Sequence, residues 1–256
     1  MTRRRFYAPP SAFSLDRQTV TLAAEETRHL RDVLRLGPAD EIHIFDGDGQ
    51  EFQCVIEESR RDSARLRVVA EVSPSRPESP LDLTLAVALL KGEKFDLVVQ
   101  KATELGVRRI LPIITERADV RLRDENDASK RVTRWRRIAL EAAKQSGRAF
   151  VPDVGIPRTF PSLLEYLSAA DEPSLLTVMF SERDGQRLTE AISQKEIRER
   201  ELIALVGSEG GWTDEEIARA RQAGWEIVTL GGRTLRAETA AIAVVALLQN
   251  LLGDLN

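Results

Sequence analysis

Short apolar runs separated by turn residues fill most of the first 72 positions of the chain. Runs of this length, rich in Val, Ile, Leu and Phe, are typical of β-strands. Four strands are predicted, over 19–22, 41–45, 51–56 and 64–70. A helix is predicted over 25–34, with Leu30, Val33 and Leu34 on one face. This part of the chain is therefore predicted to be a small β-barrel with one helix.

Prolines mark a boundary after position 72. Pro74, Pro77 and Pro80 fall within eight residues, 73–80. Proline interrupts helices and cannot pair in a central strand, so this segment is predicted to be a linker. The chain is thus predicted to contain a β-barrel domain over 1–72, a linker over 73–80 and a second domain over 81–256.

From position 81 the apolar pattern alternates between strands and helices. Strands are predicted over 81–90, 109–114, 175–180, 202–206 and 227–230. Helices are predicted over 94–105, 132–146, 213–224 and 238–252, the third beginning with a capping box at Thr213 and Glu216. Such alternation is typical of an α/β domain in which helices cover both faces of a parallel sheet.

Composition argues against several other classes of protein. The chain is 42% hydrophobic and 30% charged, as globular proteins are. Its longest apolar run, 240–248, is too short to cross a membrane, and no apolar segment follows the basic N-terminus as in a signal peptide. One cysteine and two histidines argue against a disulfide and against a metal site. We expect a cytoplasmic protein with no metal and no membrane association.

Charge alone leaves a nucleic-acid partner open. The net charge is −4, so no global positive field attracts a polyanion. The first domain nevertheless contains dense basic clusters, which either contact phosphates or form an ordinary solvated surface. These clusters contain Arg3, Arg4, Arg5, Arg31 and Arg35.

Three loops that follow predicted strands contain the candidate chemistry. The first spans 179–182 and contains Phe180 and Ser181, the second spans 207–212 and the third 230–239. Ligands of open α/β sheets bind at the carboxyl ends of strands, where glycines let a ligand approach the backbone. The dinucleotide-binding pattern is absent, because Glu209 stands where its second glycine would be, and there is no P-loop. Glycines alone would serve equally to turn the chain.

The two glycine-bearing loops are specific in sequence. Residues 207–211 read G-S-E-G-G and residues 230–240 read L-G-G-R-T-L-R-A-E-T-A. They resemble the G-P-E-G-G and L-G-x-x-x-L-R-x-E-T-A signatures of the ribosomal RNA small subunit methyltransferase E family, within the SPOUT superfamily. Further matches follow in order along nearly the whole chain, at 29–37, 45–47, 91–94, 100–106 and 141–148. Ser208 and Ala237 depart from the usual proline and threonine, which can alter loop rigidity but not the class of cofactor.

The resemblance implies a fold and an activity. The fold is α/β: an N-terminal PUA-like β-barrel for RNA, and a C-terminal SPOUT-type domain with a deep trefoil knot, which periodicity cannot predict. The activity is S-adenosylmethionine-dependent methylation of N3 of a uridine in 16S ribosomal RNA, in a small-subunit particle, by a homodimer. The largely apolar last helix agrees with a dimer interface, although burial within one chain explains part of that surface.

The resemblance also assigns residues to the site. RNA is expected to bind at the basic clusters of the first domain. The expected cofactor-binding residues lie in the three loops: Phe180, Ser181, Gly207, Glu209, Gly210, Gly211, Leu230, Gly231, Leu235, Arg236, Glu238, Thr239 and Ala240.

Methylation of uridine N3 places its main demands on the acceptor. N3 becomes nucleophilic only as its imide proton leaves, so catalysis rests on positioning, proton removal and stabilisation of the uracil anion. Arg236 and Arg148 are candidates for the last role, because a guanidinium is always charged, and each is equally explained by a structural ion pair. Glu209 and Glu238 can accept from the cofactor, orient an arginine or act as base. The sequence does not identify the base.

Two rival functions stay open. One is an RNA-binding module without activity, which would fail to bind S-adenosylmethionine. The other is a SPOUT enzyme with a different target, such as a 2′-O-ribose methyltransferase of transfer RNA. That second rival leaves the matches in the first domain and at 145–148 unexplained.

Overall fold

The computed structural model describes residues 3–168, 175–193 and 201–255, and it divides into two compact units. The first unit contains the chain up to Glu78 together with Leu140–Val151, and the second contains Ser79–Ala139 and the chain from Pro152. The division after Glu78 falls inside the predicted linker. The inclusion of Leu140–Val151 had no sign in the sequence, because this segment begins as the continuation of a predicted helix.

A five-stranded sheet forms the first unit, in the order β1-β3-β4-β5-β2. The strands are β1 (Arg5–Tyr7), β2 (Thr19–Leu22), β3 (Glu41–Phe45), β4 (Glu51–Ser59) and β5 (Ala64–Val72). β1 is parallel to β3, and the other neighbouring strands are antiparallel. Ile42, Ile44 and Leu66 are fully buried in the core of this unit, as expected where one face of an antiparallel sheet packs inward.

The helix predicted over 25–34 changes its winding halfway. Helix α1 (Ala24–Arg28) continues as a π-helical turn, His29–Val33, in which the N–H of Leu34 donates to the carbonyl of His29 at 3.1 Å. A π turn inserts an extra residue and so rotates the following side chains. Leu30 is buried, whereas Val33 is 67% and Leu34 41% exposed. The prediction that these three side chains share one face is therefore wrong.

A seven-stranded sheet forms the centre of the second unit, in the order β12-β10-β11-β6-β7-β8, with β9 paired to β7. Every pairing given for it is parallel. The strands are β6 (Asp82–Ala88), β7 (Arg109–Ile114), β8 (Asp153–Val154), β9 (Arg158–Thr159), β10 (Leu176–Phe180), β11 (Glu201–Val206) and β12 (Glu226–Val228). The apolar runs of β6, β10 and β11 are almost wholly buried, as in parallel sheets covered on both faces.

The helices of the chain from position 94 onward alternate with these strands. They are α2 (Lys94–Glu104), α3 (Glu125–Ser146), α4 (Phe160–Ser168), α5 (Leu188–Ser193), α6 (Asp214–Gln222) and α7 (Ala237–Leu252), and α2 packs against α7. The predicted α/β class with a parallel sheet is confirmed. Among the described residues, the helices are all too short or too polar to cross a membrane.

Candidate functional site

Three neighbouring strands of the second unit, β12, β10 and β11, end at the same edge of the sheet. Because these strands are parallel, the loops that follow them emerge together. The loops line a cavity of about 510 Å³ that is open to solvent. This volume is in the range of small-molecule sites. Of the predicted cofactor-binding residues, all but Glu238 and Thr239 line this cavity. Their roles as cofactor ligands stay predictions.

The loop after β11, residues 207–212, is shaped by contacts with protein atoms. The indole N–H of buried Trp212 donates to the carbonyl of Phe180 at 2.8 Å. A Cβ at Gly207 would lie 2.9 Å from the ring of Trp212, and one at Gly210 would lie 2.7 Å from the carbonyl oxygen of Arg117. These glycines are therefore required by the packing of the loop itself, a reason that sequence reasoning did not give.

Ser208, which replaces the proline usual in the resembled family, is buried in the same loop. The hydroxyl of Thr115 donates to its hydroxyl at 3.4 Å, a partner that proline would not provide. The departure from the family pattern thus has a polar partner inside the second unit.

The loop after β12 leaves its side chains open. Gly231 has a φ of +69°, in the left-handed region that favours glycine. Leu235 and Arg236 are exposed at the cavity. Within the described part of the chain, the guanidinium of Arg236 forms no hydrogen bond or ion pair. The arginine singled out from the sequence is therefore available to a ligand.

The loop after β10 contributes a carboxylate, Glu182, which the sequence placed in this loop without a role in the site. The N–H of Ser181 donates to the carbonyl of Val228 at 2.9 Å, which ties this loop to β12. The next residue, Glu182, is exposed and lines the cavity. A Cβ at Gly211 would lie 2.8 Å from its Oε1, so the two loops meet at this carboxylate. Only its position next to Ser181 could have suggested a role.

A lysine joins the two candidate carboxylates. Nζ of Lys94 lies 2.7 Å from Oε1 of Glu209 and 3.7 Å from Oε2 of Glu238. The hydrogen bond to Glu209 raises the pKa of Lys94. Burial on its own would raise the pKa of Glu209, but hydrogen bonds from Lys94 and from its own backbone N–H lower it. Sequence reasoning assigned no role to Lys94, although 91–94 is one of the segments in which the chain resembles the family. Lys94 is also a cation in the first turn of a helix, where the dipole disfavours it.

Two predicted RNA-binding arginines are engaged inside the first unit. The carboxylate of Glu51, which is fully buried, lies 3.0 Å from Nη1 of Arg3 and 3.1 Å from Nε of Arg5. Arg5 also stacks on Phe45, at 4.7 Å from the ring centre. Of the other members of the predicted clusters, Arg4 and Arg35 are exposed, and Arg31 is half-buried with its Nε 2.7 Å from Oδ1 of Asp32. RNA binding by all five stays a prediction.

Arg148 also lies in the first unit and is 5% exposed. Its Nε and Nη2 donate to Oε2 of Glu78, at 3.0 Å and 2.6 Å. Its own carbonyl accepts from Nη2 of Arg5 at 2.9 Å. Removing one partner of a buried ion pair is strongly destabilising, so a structural role is evident here. A catalytic role for Arg148 stays a prediction.

Family models match both parts of the chain. The model of an RNA methyltransferase domain matches residues 77–249, and the model of an RNA methyltransferase PUA domain matches residues 22–69. The two models therefore fall largely within the second unit and within the first.

Relatives of similar length are also found. The chain is 34% identical to the ribosomal RNA small subunit methyltransferase E of Synechocystis sp., over 91% of this chain and 74% of that protein. It is 32% identical to the protein of the same name from Bacillus subtilis, over 88% and 87%. A crystal structure of that methyltransferase from Neisseria gonorrhoeae bound to S-adenosylmethionine matches with a TM-score of 0.83 and 34% identity, over 100% of both chains. A putative methyltransferase from Legionella pneumophila, in complex with the same cofactor, matches with a TM-score of 0.84 and 30% identity, over 99% and 100%.

Proposed function

The chain belongs to the ribosomal RNA small subunit methyltransferase E family and is an S-adenosylmethionine-dependent RNA methyltransferase, and from this premise we propose that it methylates N3 of a uridine in 16S ribosomal RNA. The observation that carries the proposal is that three loops at the carboxyl edge of a parallel sheet line one common cavity. Those loops contain the residues in which the chain resembles the family.

The cavity fits S-adenosylmethionine in size and in chemistry. Its volume of about 510 Å³ lies in the range of small-molecule sites, and its walls are glycine-bearing backbone with few charged side chains. Gly231 has open space where a Cβ would be, so its backbone is accessible to a ligand. The residues that would hold the cofactor are 207–211, 230–236 and Ala240. The bound cofactor supplies a methyl group already activated by a positively charged sulfur.

The uridine acceptor must be activated by side chains of the protein. Loss of the N3 proton leaves a negative charge on the uracil, and a guanidinium placed beside it stabilises that charge as it develops. Arg236 is suited to this role because it is exposed at the cavity and has no partner among the described residues. Glu209 is a weak base here, since its hydrogen bond from Lys94 holds its pKa low against the effect of burial. We therefore assign anion stabilisation to Arg236 and do not assign the base to Glu209.

Nucleoside analysis tests the proposed acceptor. Ribosomal RNA from a bacterial strain that lacks the corresponding gene is treated with the purified protein and S-adenosylmethionine, digested and analysed by mass spectrometry. We expect N3-methyluridine in 16S ribosomal RNA. A 2′-O-methylated nucleoside would identify a different SPOUT activity, and RNA binding without any methylated product would identify a binding module.

The proposal extends to the location and the form of the substrate. Small ribosomal subunits assemble in the bacterial cytoplasm, so the protein is proposed to act there. Comparing initial rates on free 16S ribosomal RNA and on small-subunit particles tests the second part. Faster methylation of free RNA would contradict the particle as substrate.

We further propose a homodimer. Leucines on the outer faces of α2 and α7 are exposed, at 40% for Leu97, 41% for Leu247 and 44% for Leu251. Because α2 packs against α7 in the same unit, these side chains lie on adjoining elements. Exposed apolar side chains on adjoining elements are typical of an interface between subunits.

The trefoil knot of the SPOUT fold is also proposed for the second unit. The strand order supports it, because β12 lies beyond β10 while β11 lies on the other side of β10. The chain therefore passes β10 on its way from β11 to β12. After β12, α7 packs against α2. Tracing residues 201–255 through experimental electron density would test whether the chain passes through its own loop.

A further inference from the structure

Lys94 connects two segments of the cofactor site that are distant in sequence. It is the first residue of α2, and its ammonium lies 2.7 Å from Glu209, in the loop after β11, and 3.7 Å from Glu238, in the first turn of α7. Glu209 lines the cavity, and Glu238 is two residues from Arg236, which also lines it. One ammonium thus contacts carboxylates of two segments at the cavity, the loop 207–212 and the start of α7 with Arg236. We call these segments the two walls of the cofactor site.

The position of Lys94 is unfavourable for the helix that contains it. The N-terminus of a helix carries a partial positive charge, so a cation in the first turn is disfavoured. Neither Glu93, the N-cap of α2, nor Arg236, the N-cap of α7, forms a side-chain capping hydrogen bond. A local conflict of this kind points to a role outside the helix itself. The carboxylates of Glu209 and Glu238 compensate the unfavourable charge of Lys94 at the helix N-terminus.

Glu238 depends on this lysine. Its Oε2 is buried and has no hydrogen-bond partner in the described part of the chain. The ammonium of Lys94, at 3.7 Å, pairs with this carboxylate. Without that cation, two carboxylates of like charge would face each other across the site, and one of them would be largely desolvated. Both effects would push the two walls apart.

We propose that Lys94 is a positioning residue that fixes the two walls of the cofactor site relative to each other and thereby sets the place of Arg236. The inference rests on the proposed function, because it concerns the affinity of the same cavity for S-adenosylmethionine. Lys94 acts through Glu209 and Glu238, and it does not itself line the cavity.

The inference has a specific pH signature. In the wild-type protein the ammonium of Lys94 pairs with both carboxylates, so their arrangement should be constant between pH 5 and 8. In Lys94→Gln this cation is gone, while Arg236, near Lys94, and Asp119, near Glu209, stay charged. Repulsion between the two carboxylates then favours protonation of one of them. As the pH falls that group gains a proton, the repulsion ends, and one carboxyl group can donate to the other. The lost affinity should therefore return at low pH.

Calorimetric titration with S-adenosylmethionine from pH 5 to 8 tests this signature. We expect Lys94→Gln to weaken binding about tenfold at pH 8, within the range of coupling found between residues of one salt-bridge network. The ratio of mutant to wild-type affinity, which cancels titration of the ligand, should rise toward one at pH 5. Lys94→Arg keeps the charge. Its loss of affinity, in log units, should be less than half of the loss in Lys94→Gln, and it should not depend on pH.

Lys91→Gln is the matched control. Lys91 lies three positions earlier, before the start of α2, and its Nζ pairs with exposed Asp119 at 2.8 Å. Lys91→Gln removes the same charge from a lysine that pairs with neither Glu209 nor Glu238 in the described part of the chain, so affinity should stay within about twofold of wild type. A second control places Lys94→Gln in the Glu238→Gln background, where one of the opposing charges is gone. The loss caused by Lys94→Gln should there be at most about threefold, because interacting residues are not additive.

The outcomes separate this inference from the proposed function. A loss that is the same at every pH and in both backgrounds would overturn the positioning role and leave a general contribution to folding. Unchanged affinity in Lys94→Gln would overturn it too. If Lys94→Gln does not fold, Lys94→Arg and Glu238→Gln carry the test, and wild-type affinity in both would overturn it. Wild-type protein that does not bind S-adenosylmethionine would overturn the proposed function first.

Discussion

At position 210 the chain has no room for a side chain, whereas at position 231 there is room but the backbone conformation disfavours one. We predict that Gly210→Ala weakens S-adenosylmethionine binding and destabilises the protein, by about 1–3 kcal/mol as in other overpacked sites. Its Cβ would meet backbone of Arg117 that cannot rotate away. Gly231→Ala should cost less, about 1 kcal/mol of backbone strain. Calorimetry and thermal unfolding of both variants check this, and equal losses would contradict it.

The residue with the clearest chemical prediction is Arg236. If it stabilises the uracil anion, Arg236→Ala should lower the single-turnover rate about 10²–10³-fold, as when other charge-stabilising donors are removed. Cofactor affinity should change little, because the interaction strengthens only as charge develops. Arg236→Lys keeps the charge without the planar fork and should rescue the rate in part. The measurement uses saturating RNA; a wild-type rate for Arg236→Ala would move the assignment to Arg148.

At the scale of single residues, the sequence predicted positions better than contacts. The residues of the two glycine-bearing loops could be named because their order along the chain is specific. The role of Lys94 could not be predicted, since its partners Glu209 and Glu238 lie more than a hundred positions away. The same limit applies to Arg3 and Arg5, whose charges are taken up by Glu51. Burial and pairing depend on the tertiary structure, which a local pattern does not contain.

At the scale of elements, α6 is the helix whose start was predicted most sharply. Thr213 accepts from the N–H of Glu216 at 3.1 Å, and the Glu216 carboxylate accepts from the N–H of Thr213 at 3.0 Å. Glu216 also accepts from the N–H of Glu116 at 2.9 Å, so the cap fixes a second loop. We predict that Thr213→Ala costs about 1 kcal/mol and lowers the melting temperature by roughly 2–4 °C. Thr213→Ser retains the hydroxyl, and calorimetric scans should show a melting temperature near that of wild type.

Elements with a clear period were predicted, and those without one were not. The strand predictions 19–22, 41–45 and 109–114 agree with β2, β3 and β7 to the residue. β1, β8 and β9 are two or three residues long and cannot show alternation. The π turn after α1 is also hidden, since its hydrogen bond spans five residues instead of the four of the α-helical pattern.

At the scale of the molecule, RNA binding should depend on the arginines that are free to reach phosphates. Arg4 and Arg35 are exposed, whereas Arg3 and Arg5 pair with Glu51. We predict that Arg4→Ala with Arg35→Ala flattens the salt dependence of RNA affinity by about 0.7 log units per lost contact. Cofactor affinity should not change. Arg60→Ala, which removes an exposed arginine paired with Glu58, is the control, and an equal slope in both variants would contradict the prediction.

Assembly gives the second prediction at this scale. A homodimer should appear in light scattering at micromolar concentration as about twice the 28.6 kDa mass of the chain. Leu247→Glu with Leu251→Glu should give the monomer, because charges in an apolar interface are not solvated. Leu15→Glu changes a fully exposed leucine of the first unit and should leave the mass unchanged. A wild-type monomer with full activity would contradict the dimer.

The first unit is completed by a segment that the ribosome synthesises late. Leu140–Val151 belongs to that unit; Nζ of Lys144 lies 2.7 Å from Oε1 of Glu26, and the N–H of Val151 donates to the carbonyl of Gly47 at 2.9 Å. Chains emerge N-terminus first, so these contacts cannot form until β6, α2 and β7 of the second unit have also been made. During synthesis the buried carboxylate of Glu26 has no lysine beside it. The two units therefore cannot fold strictly one after the other, although their order along the chain would suggest it.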